Sequence, residues 1–510
     1  MTVSLKRFYS NSAFQTLKVI KNQSLIQTSP FINGKFTNEL DAIKFDVTNP
    51  FDGSKLIEIN ATTNNELSKA FQVTKNAFFN FKTFTPKQRA LMLRKLNESV
   101  IANSEDLAKL ITLENGKPLK DSMGEVLYGA SFLEWFADEA CRINGSVIDS
   151  AFPNKKIVSL REPIGPVGIL TPWNFPLAMI TRKLGAALAA GCSVIIKPAA
   201  DTPLTALAFA KICQEANIPD GLINITPVEE KRTPLFGKMF CESPELRKIS
   251  FTGSTRVGSL LLEQCASTVK KVSMELGGNA PFIVSNMNSS HELSRAVDEL
   301  IAGKFRSSGQ TCVCVNRIYI HEEVYDEFVE LLVSRLKETV RLGPGMDPTV
   351  THGPLVHRRA VDKVDSLVQD AISKGAKVLL GGKRRDDLGP SFYEMTVLGG
   401  VTDKMKIYET EIFGPVAAIC PYNDSMENIC RKASQNIEDV GLAGYIFSSS
   451  REECRVGSSM LDVGMVGVNT GLISEAALPF GGVRRSGFGR EGSVFGVDEY
   501  TVVKSIVERI

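Results

Sequence analysis

The fold is decided by the stretch Ile249-Ser250-Phe251-Thr252-Gly253-Ser254-Thr255-Arg256-Val257-Gly258. An apolar strand runs here into a glycine-containing turn that opens a helix. Glycines at such a turn let the backbone approach a pyrophosphate at the helix N-terminus. The stretch does not have the GxGxxG pattern, and a tight strand-to-helix turn without a ligand is at least as good an interpretation.

The same alternation extends outward from about Val158. The predicted strands are Val167–Leu170, Val194–Ile196, Ile223–Ile225 and Ile249–Phe251, and the predicted helices between them include Ala178–Ala190 and Leu204–Ala216. A second series follows from Pro281 to about Leu398, with the amphipathic helices Val324–Val340 and Arg359–Lys374. Strands that alternate with helices predict an α/β protein whose parallel sheet is doubly wound, of the kind that binds dinucleotides.

Length and composition exclude several classes of protein. A chain of 510 residues is too long for one core of ordinary size and predicts two or three domains. A net charge of +2 gives no reason to expect nucleic acid, and no apolar run reaches the roughly 20 residues of a membrane span. The 10 cysteines and 4 histidines lack the spacing of metal ligands, so no metal site is predicted and the cysteines are expected to be reduced thiols.

The N-terminus differs in composition from the rest of the chain. Residues 1–36 contain lysine, arginine and many hydroxyl and amide side chains but no Asp or Glu. Such a segment is typical of a transit peptide, and residues 1–30 are therefore a possible targeting segment that implies the mitochondrial matrix. A polar tail on a cytoplasmic enzyme is the alternative. The folded part is expected to open at the Asn33-Gly34 turn of a hairpin that begins at Phe31.

Two further motifs contain reactive side chains. Glu275 follows a hydrophobic strand and precedes Gly277-Gly278, and Cys312 follows the Gly309-Gln310-Thr311 turn. A cysteine in such a turn can face a cleft in which backbone N–H groups lower its pKa. Taken alone, Glu275 is better explained as a solvated or capping acid, and Cys312 is better explained as a buried structural cysteine.

Together these motifs resemble the aldehyde dehydrogenase superfamily. Four more stretches occur in the order and approximate spacing of that family, from Phe31 to the C-terminus: Thr171-Pro172-Trp173-Asn174-Phe175-Pro176, Lys197-Pro198, Glu411-Ile412-Phe413-Gly414-Pro415 and Pro479-Phe480-Gly481-Gly482. The resemblance implies a Rossmann-type cofactor domain (31–286), interrupted near 144–163, and an α/β catalytic domain (287–480). Residues 481–510 would return to the first domain and end in a strand. That strand and the 144–163 excursion would form a small oligomerisation module of a homotetramer or homodimer.

The resemblance also implies roles for three residues. Cys312 would add to the aldehyde as a thiolate, since a sulfur nucleophile needs no metal. The Asn174 side-chain amide and the Cys312 backbone N–H would hold the oxyanion. Glu275 would act as the general base that activates water for hydrolysis of the thioester.

The implied cofactor is NAD or NADP. The cofactor-binding residues carried over by resemblance are Trp173, Lys197, Ala199, Ala200, Gly253, Ser254, Gly258, Leu276, Glu411 and Phe413. NAD-dependent relatives often have a glutamate at the position of Ala200, where it hydrogen-bonds the adenine-ribose hydroxyls and repels a 2′-phosphate. Since Ala200 cannot repel that phosphate, we expect NADP to be accepted alongside NAD.

Within the superfamily the chain most resembles the succinate-semialdehyde dehydrogenases, which implies a role in GABA degradation. Arg182, Arg306 and Ser474 match positions where that subfamily meets the distal carboxylate of its substrate, and arginine forks bind carboxylates in bidentate fashion. For either arginine alone, a surface ion pair is an equally good interpretation. Glutarate semialdehyde and broad aliphatic aldehydes are alternative substrates, and a non-catalytic homologue would lack Cys312, Glu275 or Asn174.

Cys314 lies two residues beyond Cys312. In an extended segment such residues are roughly 6–7 Å apart at Cα, near the upper limit for a disulfide. A strained bond would be easily reduced, and some succinate-semialdehyde dehydrogenases with a matching Cys-Val-Cys element are redox-switched. Cys314 is therefore a candidate redox residue, and simple packing beneath the site is the alternative.

Overall fold

The computed structural model describes residues 16–39, 42–285, 287–435 and 438–510. The strands are β1 Phe31–Ile32, β2 Lys35–Phe36, β3 Lys44–Thr48, β4 Lys55–Asn60, β5 Ser146–Asp149, β6 Lys155–Pro163, β7 Val167–Leu170, β8 Val194–Lys197, β9 Ile223–Ile225, β10 Lys248–Thr252, β11 Lys271–Glu275, β12 Ala280–Val284, β13 Val315–His321, β14 Lys377–Leu380, β15 Thr396–Gly399, β16 Val416–Tyr422, β17 Val440–Gly441, β18 Ala443–Phe447, β19 Met465–Val468, β20 Val483–Arg484, β21 Gly487–Phe488 and β22 Thr501–Arg509. The helices are α1 Asn64–Phe81, α2 Pro86–Ala102, α3 Ser104–Asn115, α4 Leu119–Glu139, α5 Ala178–Ala190, α6 Pro203–Glu215, α7 Thr233–Glu242, α8 Thr255–Ala266, α9 Ser290–Phe305, α10 Glu322–Thr339, α11 Arg358–Ser373, α12 Lys406–Glu409, α13 Met426–Ser434, α14 Arg451–Met460 and α15 Phe495–Asp498.

The first sheet has eight strands in the order β2-β1-β9-β8-β7-β10-β11-β21. Its central strands β9, β8, β7, β10 and β11 are parallel, and helices connect them. The residues of β7 and β8 are all buried, as expected for strands covered on both faces. The predicted α/β fold with a parallel, doubly wound sheet is therefore confirmed, and ligands of such folds bind at the carboxyl ends of the strands.

The second sheet has seven strands in the order β14-β15-β16-β13-β12-β18-β19. Its strand β12 (Ala280–Val284) pairs with β13 and β18, although the predicted first domain extended to residue 286. The boundary is therefore wrong by about one strand, and the chain passes between the sheets at Leu276–Asn279. This short passage joins Glu275, the last residue of β11, to the second sheet.

A third, small sheet joins the C-terminus to the excursion of the first domain. Strand β22 pairs along its whole length with β6, from Thr501 opposite Pro163 to Arg509 opposite Lys155, and β5 covers the other edge of β6. The C-terminal strand thus has its partner within the chain, about 340 residues earlier in the sequence. All residues of β22 after Thr501 are exposed, so neither face of this strand is covered by the rest of the chain.

The folded part begins earlier than the sequence predicted. The Asn33-Gly34 hairpin forms as expected, with positive φ at both turn residues. Leu17, Ile20 and Leu25 are buried in the core of the first domain, however, and the backbone N–H of Lys21 donates to Asp106 at 2.9 Å. A targeting segment that ended at residue 30 would remove these contacts, which argues against that boundary, and the targeting segment stays a prediction. The prediction for residues 1–15 lies outside the described residues.

Two absences among the described residues bear on function. Among them no helix is long and apolar enough to cross a membrane. Within the same part of the chain, no group of three or more His, Cys, Asp and Glu side chains is placed to hold a metal ion.

Candidate active site

Two cavities meet at Cys312. One, of about 310 Å³, lies at the carboxyl ends of the parallel strands of the first sheet and is lined by Glu275. The other, of about 320 Å³, lies on the opposite side and is lined by Arg306. Asn174, Thr252 and Cys312 line both cavities. A nucleophile at this junction can contact two ligands that enter from different sides.

The turn that presents Cys312 is held in an unusual backbone conformation. Ser307 and Ser308 both have positive φ, of 50° and 54°, which costs non-glycine residues free energy and tends to persist at functional sites. Gly309 also has positive φ, and an added Cβ would lie 2.2 Å from the carbonyl oxygen of Gly414. The Ser307 N–H donates to Asp121 at 3.0 Å, and the Ser308 hydroxyl donates to the carbonyl of Gly353 at 2.8 Å. These contacts fix the segment immediately before Cys312.

Asn174 lies in the loop after β7, within the sequence that connects to α5. Its side-chain N–H donates to the carbonyl of Gln310 at 3.1 Å, and the second N–H of the amide remains for a ligand. The buried Lys117 donates to the Asn174 carbonyl at 2.6 Å and also to Glu125 at 2.6 Å. Glu125 in turn accepts from the Leu177 N–H at 2.9 Å. This buried ion pair, which the sequence motifs did not reveal, positions the loop.

Glu275 ends β11 directly beside Thr252, its register partner on β10. The side chain is 5% exposed, and Arg182 Nη2 donates to its Oε2 at 2.5 Å. Its Oε1 is buried without a hydrogen-bond partner in the described part of the chain. Burial raises the pKa of Glu275 above the usual range for a glutamate, while the Arg182 guanidinium partly opposes this effect. A carboxylate in this state is a stronger base than one in water.

Cys312 is a thiol in this arrangement. Burial raises the pKa of Cys312 to about 12, and the nearby Glu275 carboxylate acts in the same direction. A backbone N–H group does lower this pKa, as expected, but desolvation outweighs that effect and the net shift is upward. A proton acceptor is therefore needed before the sulfur can attack, and Glu275 is the carboxylate at hand.

Arg182 belongs to a buried cluster of four charges. Its Nε lies 2.5 Å from Glu491, which also pairs with Lys183. Arg182 is 1% exposed, so the alternative that it forms a surface ion pair is wrong. Its guanidinium packs 4.3 Å above the ring of Phe480 and lines the second cavity. Glu491 lies 309 residues from Arg182 in the chain, and no sequence signal connected the two.

Arg306 and Ser474 line the same second cavity. Arg306 is half-buried, with its guanidinium 5.9 Å from the ring of Phe175, and no carboxylate lies within ion-pair distance of it among the described residues. Tyr128 also lines this cavity, and its buried hydroxyl lies beside Arg182. The structure thus brings Arg182, Arg306 and Ser474 together, with an unpaired cation near a sulfur nucleophile.

The first cavity contains most of the predicted cofactor residues. Those that line it are Trp173, Gly253, Ser254, Leu276, Glu411 and Phe413. Its half-buried Glu411 accepts from the Gly278 N–H at 3.2 Å, and Lys363 donates to the Glu411 carbonyl at 2.7 Å. The buried Thr252 hydroxyl, with no hydrogen-bond partner among the described residues, lies in the same lining. Unsatisfied polar atoms in a groove of this size fit a dinucleotide.

Four predicted cofactor residues do not line that cavity. Gly258 lies behind Leu276, where an added Cβ would meet Leu276 Cδ2 at 2.4 Å. Lys197 is buried, its ammonium group donates to the Pro198 carbonyl at 2.8 Å, and burial lowers its pKa to about 8. Ala199 is half-buried beside it, and Ala200 lines a neighbouring cavity of about 560 Å³. Their predicted contacts with a cofactor remain predictions.

Residues at the start of α11 were missed by the sequence analysis. His357, Arg359, Ala360 and Lys363 line the first cavity. His357 caps this helix by accepting from the Ala360 N–H at 3.1 Å. The only available sequence signal was the polar start of an amphipathic helix, which many surface helices share.

Cys314 is buried behind Cys312. Residues 311–314 form a turn in which the Cys314 N–H donates to the Thr311 carbonyl at 3.1 Å, so the assumption of an extended segment is wrong. A turn brings residues i and i+2 closer than a strand does, which reduces the strain of a disulfide between them. Lys304, which is fully buried, donates to the Cys314 sulfur at 3.5 Å.

Comparison with known proteins agrees with this geometry. The sequence model of the Aldehyde dehydrogenase family matches residues 36–506. The chain is 47% identical over 493 residues to succinate-semialdehyde dehydrogenase (NADP+) 1 of Schizosaccharomyces pombe, covering 96% of this chain and 97% of the relative. It is 44% identical to the mitochondrial succinate-semialdehyde dehydrogenase of Homo sapiens, covering 95% of this chain and 89% of the relative. The crystal structure of succinate-semialdehyde dehydrogenase from Burkholderia pseudomallei superposes with a TM-score of 0.93 at 42% identity, covering 96% and 100% of the two chains.

A cysteine between two cavities at the carboxyl ends of a parallel, doubly wound sheet fits an oxidoreductase that acts through a cysteine. The chain belongs to the aldehyde dehydrogenase family. The predicted family, fold class and enzyme class are therefore confirmed.

Proposed function

We propose that the enzyme oxidises succinate semialdehyde to succinate with NADP or NAD as the electron acceptor. The observation that carries this proposal is the second cavity, in which the unpaired Arg306 faces the same space as Cys312. A four-carbon substrate with an aldehyde at one end and a carboxylate at the other matches that arrangement of nucleophile and cation. Relatives named for succinate-semialdehyde oxidation, at 44% to 47% identity, support the same substrate. By the same likeness, a role in GABA degradation follows.

Acylation begins at the Cys312 sulfur. Glu275 takes the thiol proton, and the thiolate adds to the aldehyde carbon to form a thiohemiacetal. The Asn174 amide and the Cys312 backbone N–H stabilise the oxyanion. A nicotinamide cofactor, when bound, would supply the hydride acceptor needed for oxidation of this adduct to a thioester. Trp173, Ser254, Glu411 and the other residues lining the first cavity would hold that cofactor.

Deacylation uses Glu275 a second time. After Glu275 has released the thiol proton to solvent, its carboxylate takes a proton from water and the water oxygen bonds to the thioester carbon. The C–S bond then breaks to leave succinate and the Cys312 thiolate, and the second proton of the water passes to solvent. Burial raises the pKa of Glu275, which therefore lies closer to neutral pH than the pKa of an exposed glutamate. A carboxylate with such a pKa is suited to general base catalysis near neutral pH.

Replacing Arg306 with alanine is expected to raise KM for succinate semialdehyde at least roughly tenfold, because a charged hydrogen bond contributes about 1.5–3 kcal/mol. Butanal, which has the same chain length without the carboxylate, should be affected much less. Steady-state kinetics on both aldehydes, and on glutarate semialdehyde, measures the difference.

Lys120 is a matched control, because it is an exposed cation lining the same cavity. Its change to alanine should alter KM by about twofold or less. Equal losses on both aldehydes for Arg306→Ala would make Arg306 a structural residue and remove the support for this substrate.

Cofactor choice depends on Ala200. Burial raises the pKa of the adjacent Asp201, and Arg359 pairs with Glu230 at 2.9 Å, so both nearby acids are partly neutralised. We expect the wild type to accept NADP. Ala200→Glu should raise KM for NADP at least roughly fivefold, since like charges about 4 Å apart in water repel by ~1 kcal/mol. Ala200→Gln, which adds the same bulk without charge, is the control. Wild-type activity with NAD alone would contradict the argument.

Three further proposals concern the enzyme as a whole. The small sheet exposes Val147, Val503 and Val507, each more than 60% exposed, and a homodimer or homotetramer would cover them. The mitochondrial matrix is the proposed location, since relatives from human and rice are named mitochondrial. Cys314 remains a candidate for a reversible disulfide with Cys312.

A further inference from the structure

The ion pair between Arg182 and Glu275 lies between the two cavities. Arg182 lines the cavity that contains Arg306, whereas Glu275 lines the cavity at the end of the first sheet. Nη2 of Arg182 donates to Glu275 Oε2, and Nε faces Glu491. The Tyr128 hydroxyl lies beside Arg182 and lines the same cavity.

Glu275 cannot remain in this position throughout the reaction. While Arg182 holds Oε2, the carboxylate is attracted to a buried cation, and its basicity is reduced by that charge. Hydrolysis requires the carboxylate to face a water molecule at the Cys312 thioester. Something must therefore weaken the attraction of Arg182 for Glu275 after the acyl group has formed.

We propose that the distal carboxylate of the acyl group, bound by Arg182 in the second cavity, weakens the Arg182–Glu275 ion pair and so releases Glu275 to act as the base in deacylation. Arg182 then is a positioning residue for Glu275 as well as a ligand of the substrate. This inference rests on the proposed function, because it needs a substrate that carries a carboxylate. The distal carboxylate of the acyl group thus accelerates hydrolysis of the thioester as well as improving substrate binding.

The charge balance of the buried cluster supports this exchange. Arg182 and Lys183 face Glu275 and Glu491, so two cations are matched by two anions before a substrate binds. A third carboxylate at Arg182 makes the cluster net negative. Glu491 remains paired with Lys183, whereas Glu275 forms its ion pair with Arg182 and has a second oxygen without a hydrogen-bond partner among the described residues. Glu275 is therefore the carboxylate that leaves.

Hydrolysis can be followed separately from acylation and from cofactor reduction. Aryl esters would load Cys312 of the full-length enzyme with a succinyl or a butanoyl group, which have the same length but differ in the carboxylate. Intact-protein mass spectrometry then follows the loss of the acyl group. We expect the succinyl group to leave at least roughly tenfold faster, the scale of one charged hydrogen bond. Acetate should also accelerate loss of an acetyl group by several-fold, whereas acetamide at matched ionic strength should not.

Three variants identify the cause. Arg182→Gln should remove the difference between succinyl and butanoyl loss, and Lys120→Gln, which alters an exposed cation of the same cavity, should preserve it. In Glu275→Gln the difference should vanish; if it persists, the acyl carboxylate itself attacks the thioester and the proposal is overturned. Equal rates of succinyl and butanoyl loss in the wild type would also overturn it. If Arg182→Gln does not fold, the comparison of acetate with acetamide in the wild type decides.

The outcome is separable from that of the proposed function. A steady-state preference for succinate semialdehyde over butanal tests the substrate assignment by itself. If the enzyme prefers succinate semialdehyde but loses the succinyl and butanoyl groups equally fast, the substrate assignment is supported. The proposed coupling between the distal carboxylate and Glu275 through Arg182 is then wrong.

Discussion

Cys312→Ala is expected to lower dehydrogenase activity by at least roughly four orders of magnitude, because the variant lacks the atom that carries the acyl group. The side chain lines both cavities, and its replacement by a methyl group leaves their other walls unchanged. Binding of NADP, measured by quenching of intrinsic fluorescence, should therefore remain within about twofold of wild type. Reduced-cofactor absorbance after addition of succinate semialdehyde measures the loss.

Cys314→Ala is the matched control for this prediction. Its sulfur is buried against Lys304, two residues from Cys312, and has no place in the proposed acylation step. In reducing buffer this variant should retain most of its activity. If Cys312→Ala kept substantial turnover, or if both variants lost activity equally, the assignment of the nucleophile would be wrong.

Local sequence patterns predicted much of the central fold. The strand Val167–Leu170 is a short apolar run after Pro166, and the helix Ala178–Ala190 is a mostly apolar segment that ends at Gly191. Both occur with the predicted bounds. The start of the folded part was not predicted because residues 17–25 form two short 3₁₀ turns, which have no helical or strand periodicity. Their burial depends on contacts with Asp106 and its neighbours, which local sequence does not reveal.

The candidate active site was also predictable only in part, because local sequence does not reveal contacts between distant residues. Motifs identified Cys312, Glu275 and Asn174, but their spacing alone did not show that they meet. The resemblance to a family supplied that step. The charge state of the site was not predictable, because it depends on Arg182, Glu491 and Lys117, whose partners are far away in the chain. Burial of Cys312 likewise reversed the expected direction of its pKa shift.

Glu275→Gln should separate the two chemical steps. Pre-steady-state mixing of enzyme, NADP and succinate semialdehyde is expected to show at most one equivalent of reduced cofactor per active site, followed by turnover at least roughly a hundredfold slower than in wild type, since loss of general base catalysis costs about 10²–10⁴-fold. The amide preserves the shape of Glu275 but cannot accept a proton from water. It also removes a negative charge that raises the pKa of Cys312, so thiolate formation without a base becomes easier in the variant.

That second effect provides an independent check on the role of Glu275. If its carboxylate only repels the thiolate, the pH midpoint for alkylation of Cys312 by iodoacetamide should shift downward in Glu275→Gln. If the carboxylate instead accepts the thiol proton, alkylation near neutral pH should become slower in the variant. In the wild type, deacylation should fall as the pH decreases through a range above that of an ordinary glutamate, because burial raises the pKa of Glu275 and protonation removes the base. Wild-type rates of acyl-group loss in Glu275→Gln would assign the base to another residue.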